Sequence, residues 1–280
     1  IIGGRGRLGS CLAKMTSDPV HNVDNAVYSE WWRADSQKNI LKYFAESNIT
    51  QGTVLITTGV LDPARSMSEH ESVNYLLPKH IIEAANTLGL RAITFGTVME
   101  NLLGDKTQSP YVISKLRLGN FIQECATNNV SVLHIRLHTL YGGAYPPHSF
   151  MFLGQLLKAI HTTTDFKMTH GEQLREYHHL DDVARAIFHL AKTNLTGITQ
   201  LNHGKPEKLK DIAQHVLNSF EQLSLLRLNA LPPPNHENYD AFFEPGPYVK
   251  DMVFRKTLPG IVDYFRPFVA ESRLEASITF

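Results

Sequence analysis

The start of the chain constrains its fold most. Ile1-Ile2 runs directly into Gly3-Gly4-Arg5-Gly6-Arg7-Leu8-Gly9, and an amphipathic stretch, Ser-Cys-Leu-Ala-Lys-Met15, follows. An apolar run, a glycine turn and a helix in that order can hold a pyrophosphate at the helix N-terminus. Gly3 permits the turn, Gly6 lets the backbone approach the phosphates, and Gly9 lets the helix pack on the sheet. Short apolar runs and amphipathic stretches then alternate. Residues 36–48 are helical, with Ile40, Leu41, Tyr43 and Phe44 near one face, and Thr53-Val-Leu-Ile-Thr57 reads as a buried strand. Residues 71–88 form a long helix expected to bend at Pro78, and residues 91–95 the next strand. The helix from Tyr111 to about Thr127 and a strand over 130–136 complete the series, and a second strand is expected somewhere in 21–29. This order predicts an α/β, Rossmann-like, doubly wound parallel sheet.

After Gly142-Gly143 the alternation loosens, and Pro146-Pro147, Pro232-Pro-Pro234 and Pro245-Gly-Pro247 mark loops. The expected organisation is a Rossmann domain over 1–145 that carries the chemistry. A smaller mixed lobe over 146–280 binds the substrate, and a later strand and helix, about 180–220, return to the first domain. Only two residues precede the glycines, so either the first strand is very short or the natural start is longer.

Composition narrows the partners. Lys+Arg and Asp+Glu are 27 each, so the formal net charge of zero does not favour nucleic acid or an anionic membrane. The 14 histidines are scattered without metal-site spacing, and no metal is expected. Two cysteines, Cys11 and Cys125, cannot build a disulfide framework and suggest a reduced, cytoplasmic setting. No signal peptide or apolar run of membrane-spanning length is present.

Tyr111 and Lys115 lie four residues apart on one helix face, where an ammonium can lower a phenol's pKa from its usual ~10. Pro110 starts that helix, which puts Tyr111 in the first turn near the sheet edge. Thr97, just after the strand 91–95, can point a hydroxyl into the same cleft.

These motifs together resemble the extended short-chain dehydrogenase/reductase family, the NAD(P)-dependent epimerases, dehydratases and ketoreductases of nucleotide sugars. The resemblance runs over roughly 1–220. Gly3-x-x-Gly6-x-x-Gly9 has the family's spacing, and it implies a cofactor site that also includes Arg5, Arg7 and Leu8. Asp35 sits where the family places an acid on the adenine amino group. Thr57-Thr58-Gly59 resembles the small-residue loop beside the cofactor ribose, and Asn74 the Asn that opens the interface helix. Thr97, Tyr111 and Lys115 take the positions of the catalytic Ser/Thr, Tyr and Lys. The segment Ile135-Arg136-Leu-His-Thr139-Leu-Tyr141-Gly142 resembles the strand and loop that shape the sugar site, which implies Thr139 as a substrate contact. Residues 171–182 resemble the segment whose Arg, here Arg175, grips the nucleotide diphosphate, with Asp182 structural. Residues 201–204 and 210–213 resemble the strand and helix that come next.

Three departures qualify what is implied. The stretch from Thr97 to Tyr111 is short, Glu100 replaces a common tyrosine, and Val98-Met99 stands where dehydratases carry an acidic pair. Dehydration is therefore disfavoured. Asp24 has about the right spacing for an acid that closes the second strand and selects NAD. If that strand ends at 27–29, however, Arg5 and Arg7 in the turn favour a 2′-phosphate and hence NADP. The expected cofactor is NADP, with NAD possible. The expected activity is 4-ketoreduction of a nucleotide-linked sugar, with 4-epimerisation on retained NAD as the alternative. A non-catalytic dinucleotide-binding regulator or redox sensor is the reading from another class. The resemblance also implies a homodimer through a four-helix bundle of the 71–88 and 111–127 helices.

Overall fold

The expected opening strand is reduced to single pairings. Ile2, fully buried, bridges in parallel to Val23 on one side and to Ile56 on the other. The computed structural model describes residues 1–103, 109–233 and 237–278, with side chains through residue 270. The chain divides into two units, Ile1–Leu137 with Ala184–Leu201, and His138–Val183 with Asn202–Phe280.

In the first unit, α1 (Arg7–Met15) follows the glycine turn, and α2 (Asn25–Tyr28) and α3 (Gln37–Glu46) lead to β1 (Thr53–Ile56). Next come α4 (Met67–Glu71), a π-helical turn at Ser72–Leu76, α5 (Leu77–Thr87) and β2 (Arg91–Thr97). Then follow α6 (Met99–Leu103), α7 (Pro110–Thr127) and β3 (Val132–Leu137). After an excursion through the second unit the chain returns by α9 (Leu180–Ala191) to β8 (Gly197–Gln200). The sheet order is β1-β2-β3-β8, all parallel. Six of the seven β2 residues are buried; successive side chains point to opposite faces, so this strand is covered on both. That is why β1 and β2 carry apolar residues on both faces rather than on alternate positions only.

Two local expectations change. No strand fills 21–29: Asp24 Oδ1 accepts the Ala26 amide at 2.8 Å and caps α2, so the chain leaves the sheet directly after Val23. The long helix also departs from α geometry before Pro78, at the π turn. Pro78 itself lies in the first turn of α5, where no intrahelical N–H is required. Thr97 ends β2 rather than following it.

The second unit contains β4 (Thr139–Tyr141), α8 (Phe152–Thr162), β5 (Phe166–Lys167), β6 (Leu174–Arg175) and β7 (Tyr177–His179). Beyond β8 it adds β9 (Glu207–Lys208), α10 (Leu209–Ser219), β10 (Leu226–Arg227) and α11 (Thr257–Ile278). Its ladders are pairs: β4 with β7 in parallel, β6 with β9 antiparallel, and β10 with β5 in parallel. Leu156, Ile212, Val216, Leu217, Ile261 and Phe265 anchor its core. The expected return of 180–220 to the first domain is therefore shorter. It ends at Leu201, because α10 buries its apolar face in the second core. Among the described residues, no helix is long and apolar enough to cross a membrane.

Candidate active site

The glycine turn is tight because of what lies against it. Gly3 has φ +92°, and a Cβ there would come within 2.8 Å of Thr57 Oγ1 and the Thr58 amide nitrogen. A Cβ on Gly9 would stand 2.4 Å from the Gly3 carbonyl oxygen. The Gly6 amide donates to that carbonyl at 2.9 Å, and Gly6 caps α1 without any side-chain bond. No capping side chain therefore competes for the first-turn amides of α1, where an anion binds. Thr57 Oγ1 donates to the Ile2 carbonyl at 3.0 Å, while Thr58 Oγ1 is buried with no partner among the described residues. An uncapped helix start, a glycine cradle that any Cβ would fill and an orphaned hydroxyl fit a dinucleotide.

Asn74 connects the loop after β1 to α7. At the centre of the π turn and fully buried, it accepts the Val60 amide at 2.8 Å and donates to the Val60 carbonyl at 3.0 Å. Its amide also donates to Ser114 Oγ at 3.1 Å, and Ser114 Oγ donates to the Tyr111 carbonyl at 2.8 Å. The loop after β1 is thus held beside α7. A Cβ on Gly59 would sit 3.6 Å from Asn74 Oδ1 and 4.0 Å from Lys115 Nζ.

Lys115 is 6% exposed and donates from Nζ to the Phe95 carbonyl at 2.8 Å. Burial lowers its ammonium to about 8, opposed by the Glu100 carboxylate. Burial raises the Tyr111 phenol well above its ordinary value, Glu100 raises it further, and a hydrogen bond with the Thr97 side chain opposes both. The sequence expectation was that Lys115 would lower the phenol. Instead burial and an acid dominate, and Tyr111 is a neutral phenol.

That acid is the centre of a buried network the sequence did not foresee. Glu100, 3% exposed, accepts the Thr97 amide on Oε1 at 2.7 Å and Arg136 Nε on Oε2 at 2.9 Å. His134 Nε2 stands 3.5 Å from Oε1 without closing a hydrogen bond, and His134 Nδ1 lies 2.7 Å from Thr94 Oγ1. Burial pushes the Glu100 carboxyl up, but His134, the Thr97 amide and Arg136 outweigh it and leave it below its usual value. Burial also holds His134 below its ordinary value. A Cβ on Gly96 would fall 2.2 Å from both Glu100 Oε1 and His134 Nε2, so the network needs glycine there. A cue was present in the sequence, an acid three residues after Thr97, but its partners are visible only in the strand register.

The remaining expected residues fall as follows. Arg5 and Asp35 are exposed, and Arg7 and Leu8 are half-buried at the start of α1. The short Thr97–Tyr111 stretch lies partly outside the described residues. In the second unit, Thr139 begins β4 opposite Tyr177, and its amide donates to the Glu176 carbonyl at 3.2 Å. Arg175 is half-buried and ion-paired with Glu237, so an anionic ligand at this guanidinium would compete with a carboxylate. Asp182 Oδ2 accepts the Arg255 amide at 2.7 Å. The histidines scattered in sequence are not all scattered in space: His138, His178 and His203 gather around Glu176.

The parallel sheet, the glycine turn and the Thr97–Tyr111–Lys115 set define a class, the extended short-chain dehydrogenase/reductases. The sequence profile described as the NAD dependent epimerase/dehydratase family matches residues 1–202, and the chain belongs to that family of enzymes. No curated protein matches it in sequence. Among solved structures, the chain resembles Bordetella bronchiseptica WbmG in complex with NAD and UDP at 15% identity and TM-score 0.73, over 96% of this chain and 94% of that one. The Bacillus cereus UDP-glucuronic acid 4-epimerase, bound to UDP-glucuronic acid and NAD, gives 15% and 0.74 over 96% and 98%. A Clostridium acetobutylicum dTDP-4-dehydrorhamnose reductase gives 15% and 0.73 over 95% and 98%. At such identities the likeness establishes the fold.

Proposed function

We propose that this enzyme reduces a nucleotide-activated 4-ketosugar. The observation that carries this reading is the hydrogen bond between the side chains of Thr97 and Tyr111, the latter on the α7 face that also carries buried Lys115. Burial and Glu100 keep Tyr111 protonated, the form in which a phenol can pass a proton to an oxygen that gains negative charge. A bound nicotinamide dinucleotide supplies the hydride. The uncapped start of α1 binds its pyrophosphate, and the Asn74-clamped loop lies along it. Thr97 hydrogen-bonds the reacting oxygen, Tyr111 donates the proton, and Lys115 binds the nicotinamide ribose. Thr139 and Arg175 are the substrate contacts, Arg175 exchanging Glu237 for the diphosphate. Solved relatives that hold UDP or a UDP-sugar support the substrate class.

A second reading, 4-epimerisation on retained NAD, has its own observation. Asp24 directly follows the Val23 bridge, the place where an acid accepts bonds from ribose hydroxyls and repels a 2′-phosphate. This weighs for NAD against the NADP expected from Arg5 and Arg7, and two of the solved relatives described above hold NAD. The experiment is to mix the purified enzyme with NADH or NADPH and a panel of nucleotide 4-ketosugars and follow nicotinamide absorbance. Stoichiometric consumption identifies the reductase; interconversion of sugars with co-purified NAD and no net consumption identifies the epimerase. Tyr111→Phe should retain dinucleotide binding and lose turnover by at least ~100-fold. Unchanged turnover would overturn the catalytic assignment in both readings.

A further inference from the structure

The second unit buries three imidazoles against one carboxylate, and the chemistry proposed above uses none of them. His138 precedes β4, Glu176 and His178 flank Tyr177 at β7, and His203 lies in the loop after β8. The parallel pairing of β4 with β7 sets Leu140 opposite His178 and so brings the first two segments side by side. His138 Nε2, His178 Nε2 and His203 Nδ1 lie 3.7, 2.6 and 3.6 Å from the same oxygen, Glu176 Oε1. The rings stand in a row, His138 and His178 at 5.3 Å between centroids and His178 and His203 at 4.5 Å. Phe254 packs against His178 and His203, and Phe243 against His138. Glu176 and His178 are 3% and 1% exposed.

This is more than a buried carboxylate needs. Glu176 is already satisfied by the loop backbone, since Oε1 accepts the His203 amide and Oε2 accepts the Gly204 amide at 3.2 Å. His178 Nε2 supplies a further bond, yet His178 Nδ1 is buried with no partner among the described residues. Two more imidazoles are then held with nitrogens facing the same oxygen, although His138 Nε2 also donates to Asn202 Oδ1 at 2.8 Å, a bond that metal binding would replace. His203 carries its proton on Nε2, 3.2 Å from the Tyr177 carbonyl, and its Nδ1 lone pair is taken by the Lys205 amide at 3.1 Å, a bond it would give up to ligate.

We infer that His138, Glu176 and His178 form the core of a structural site for a divalent ion of the zinc class, with His203 recruited as the fourth ligand when it releases the Lys205 amide. The ligand atoms of His138, Glu176 and His178 already lie within 4.8 Å of one another. Two ligands of one tetrahedral zinc ion stand about 3.3 Å apart at bond lengths near 2.1 Å, so binding requires side-chain movements of the order of 1 Å. Three neutral imidazoles and a carboxylate suit zinc, cobalt or nickel rather than calcium or magnesium, which take oxygen ligands. Four protein ligands close the coordination sphere, so the ion has no open position and ties β4, β7 and the 202–204 loop together.

The test uses the whole chain, stripped with chelator and titrated with Co(II). One equivalent should produce visible d–d bands of tetrahedral intensity, bleached by one equivalent of Zn(II). Zinc at about a hundred times its Kd should raise the Tm by roughly 5 °C or more. His178→Leu and His138→Leu should each remove the bands while dinucleotide binding persists. His203→Leu is the alternative variant if either fails to fold. No cobalt bands, purely octahedral spectra, or tetrahedral bands that survive in folded His138→Leu/His178→Leu would each overturn the site and leave the cluster as a stacked hydrogen-bonded core. The readout does not depend on turnover, so it stands apart from the proposed reduction.

Discussion

Replacing Glu100 by Gln should destabilise the first unit and change the acidity of Lys115 together. The carboxylate takes the Thr97 amide on one oxygen and Arg136 on the other. A Gln has a single carbonyl oxygen, so one of these donors must face an NH2 group. A buried donor left unpaired costs about 1–3 kcal/mol, and breaking a buried ion pair about 3–5 kcal/mol. Only one of the two donors is lost, Arg136 keeps a bond to Asn101 and its side chain is 14% exposed, which puts the cost at the low end of the ion-pair range, about 3 kcal/mol. At ~2–4 °C per kcal/mol for a chain of this size, the Tm should fall by roughly 6–12 °C, measurable by circular dichroism. The second effect is electrostatic. Glu100 is the group that opposes the burial of Lys115, so its loss should lower the ammonium's pKa below its present value of about 8. Amine labelling of the Lys115 peptide across pH, read by mass spectrometry, follows this directly. A Tm within 2 °C of wild type with an unmoved labelling curve would refute the argument that this carboxylate anchors the site.

Other substitutions test neighbouring steps. Lys115 has a folded pKa below its unfolded one, so between about pH 8 and 10 the unfolded chain holds a proton that the folded chain has released, and stability rises with pH. Relative to Lys115→Met, wild type should gain about 1.4 kcal/mol per pH unit across that window, read from urea midpoints; a flat difference would show that the amine is not buried in solution. Gly9→Ala puts a Cβ against the Gly3 carbonyl and should weaken NADH binding at least ~10-fold in a fluorescence titration, with a stability loss of about 1–3 kcal/mol. Half-buried Tyr75 and Phe121 carry Arg117 and Lys79 over their rings, and they sit on the helices through which the family resemblance implies a dimer. Light scattering should find a homodimer that Tyr75→Glu dissociates.

The elements that could be read in the sequence are those whose stabilisation is local. A parallel strand buried on both faces is mostly apolar, so β1, β2 and β3 were visible as short apolar runs, even with Thr94, His134 and Arg136 inside two of them. The glycine turn was visible because only glycine tolerates the contacts that Gly3 and Gly9 make. The second strand was not, because nothing in residues 21–29 distinguishes one bridging residue from a full strand; Asp24, acting as a cap, ends it. Spacing alone also placed Tyr111 and Lys115 on one helix, but it could not say which charge governs them. That depends on β2 and β3 pairing Thr94 with His134 and Gly96 with Arg136. This register opens a space above Gly96, where Glu100 sits and a Cβ could not. A slip of one residue would turn His134 and Arg136 to the opposite face and leave Glu100 a buried acid with no cation. The proton inventory of the site is therefore a property of strand register, and a motif that records only Thr, Tyr and Lys leaves out the acid that holds the phenol neutral.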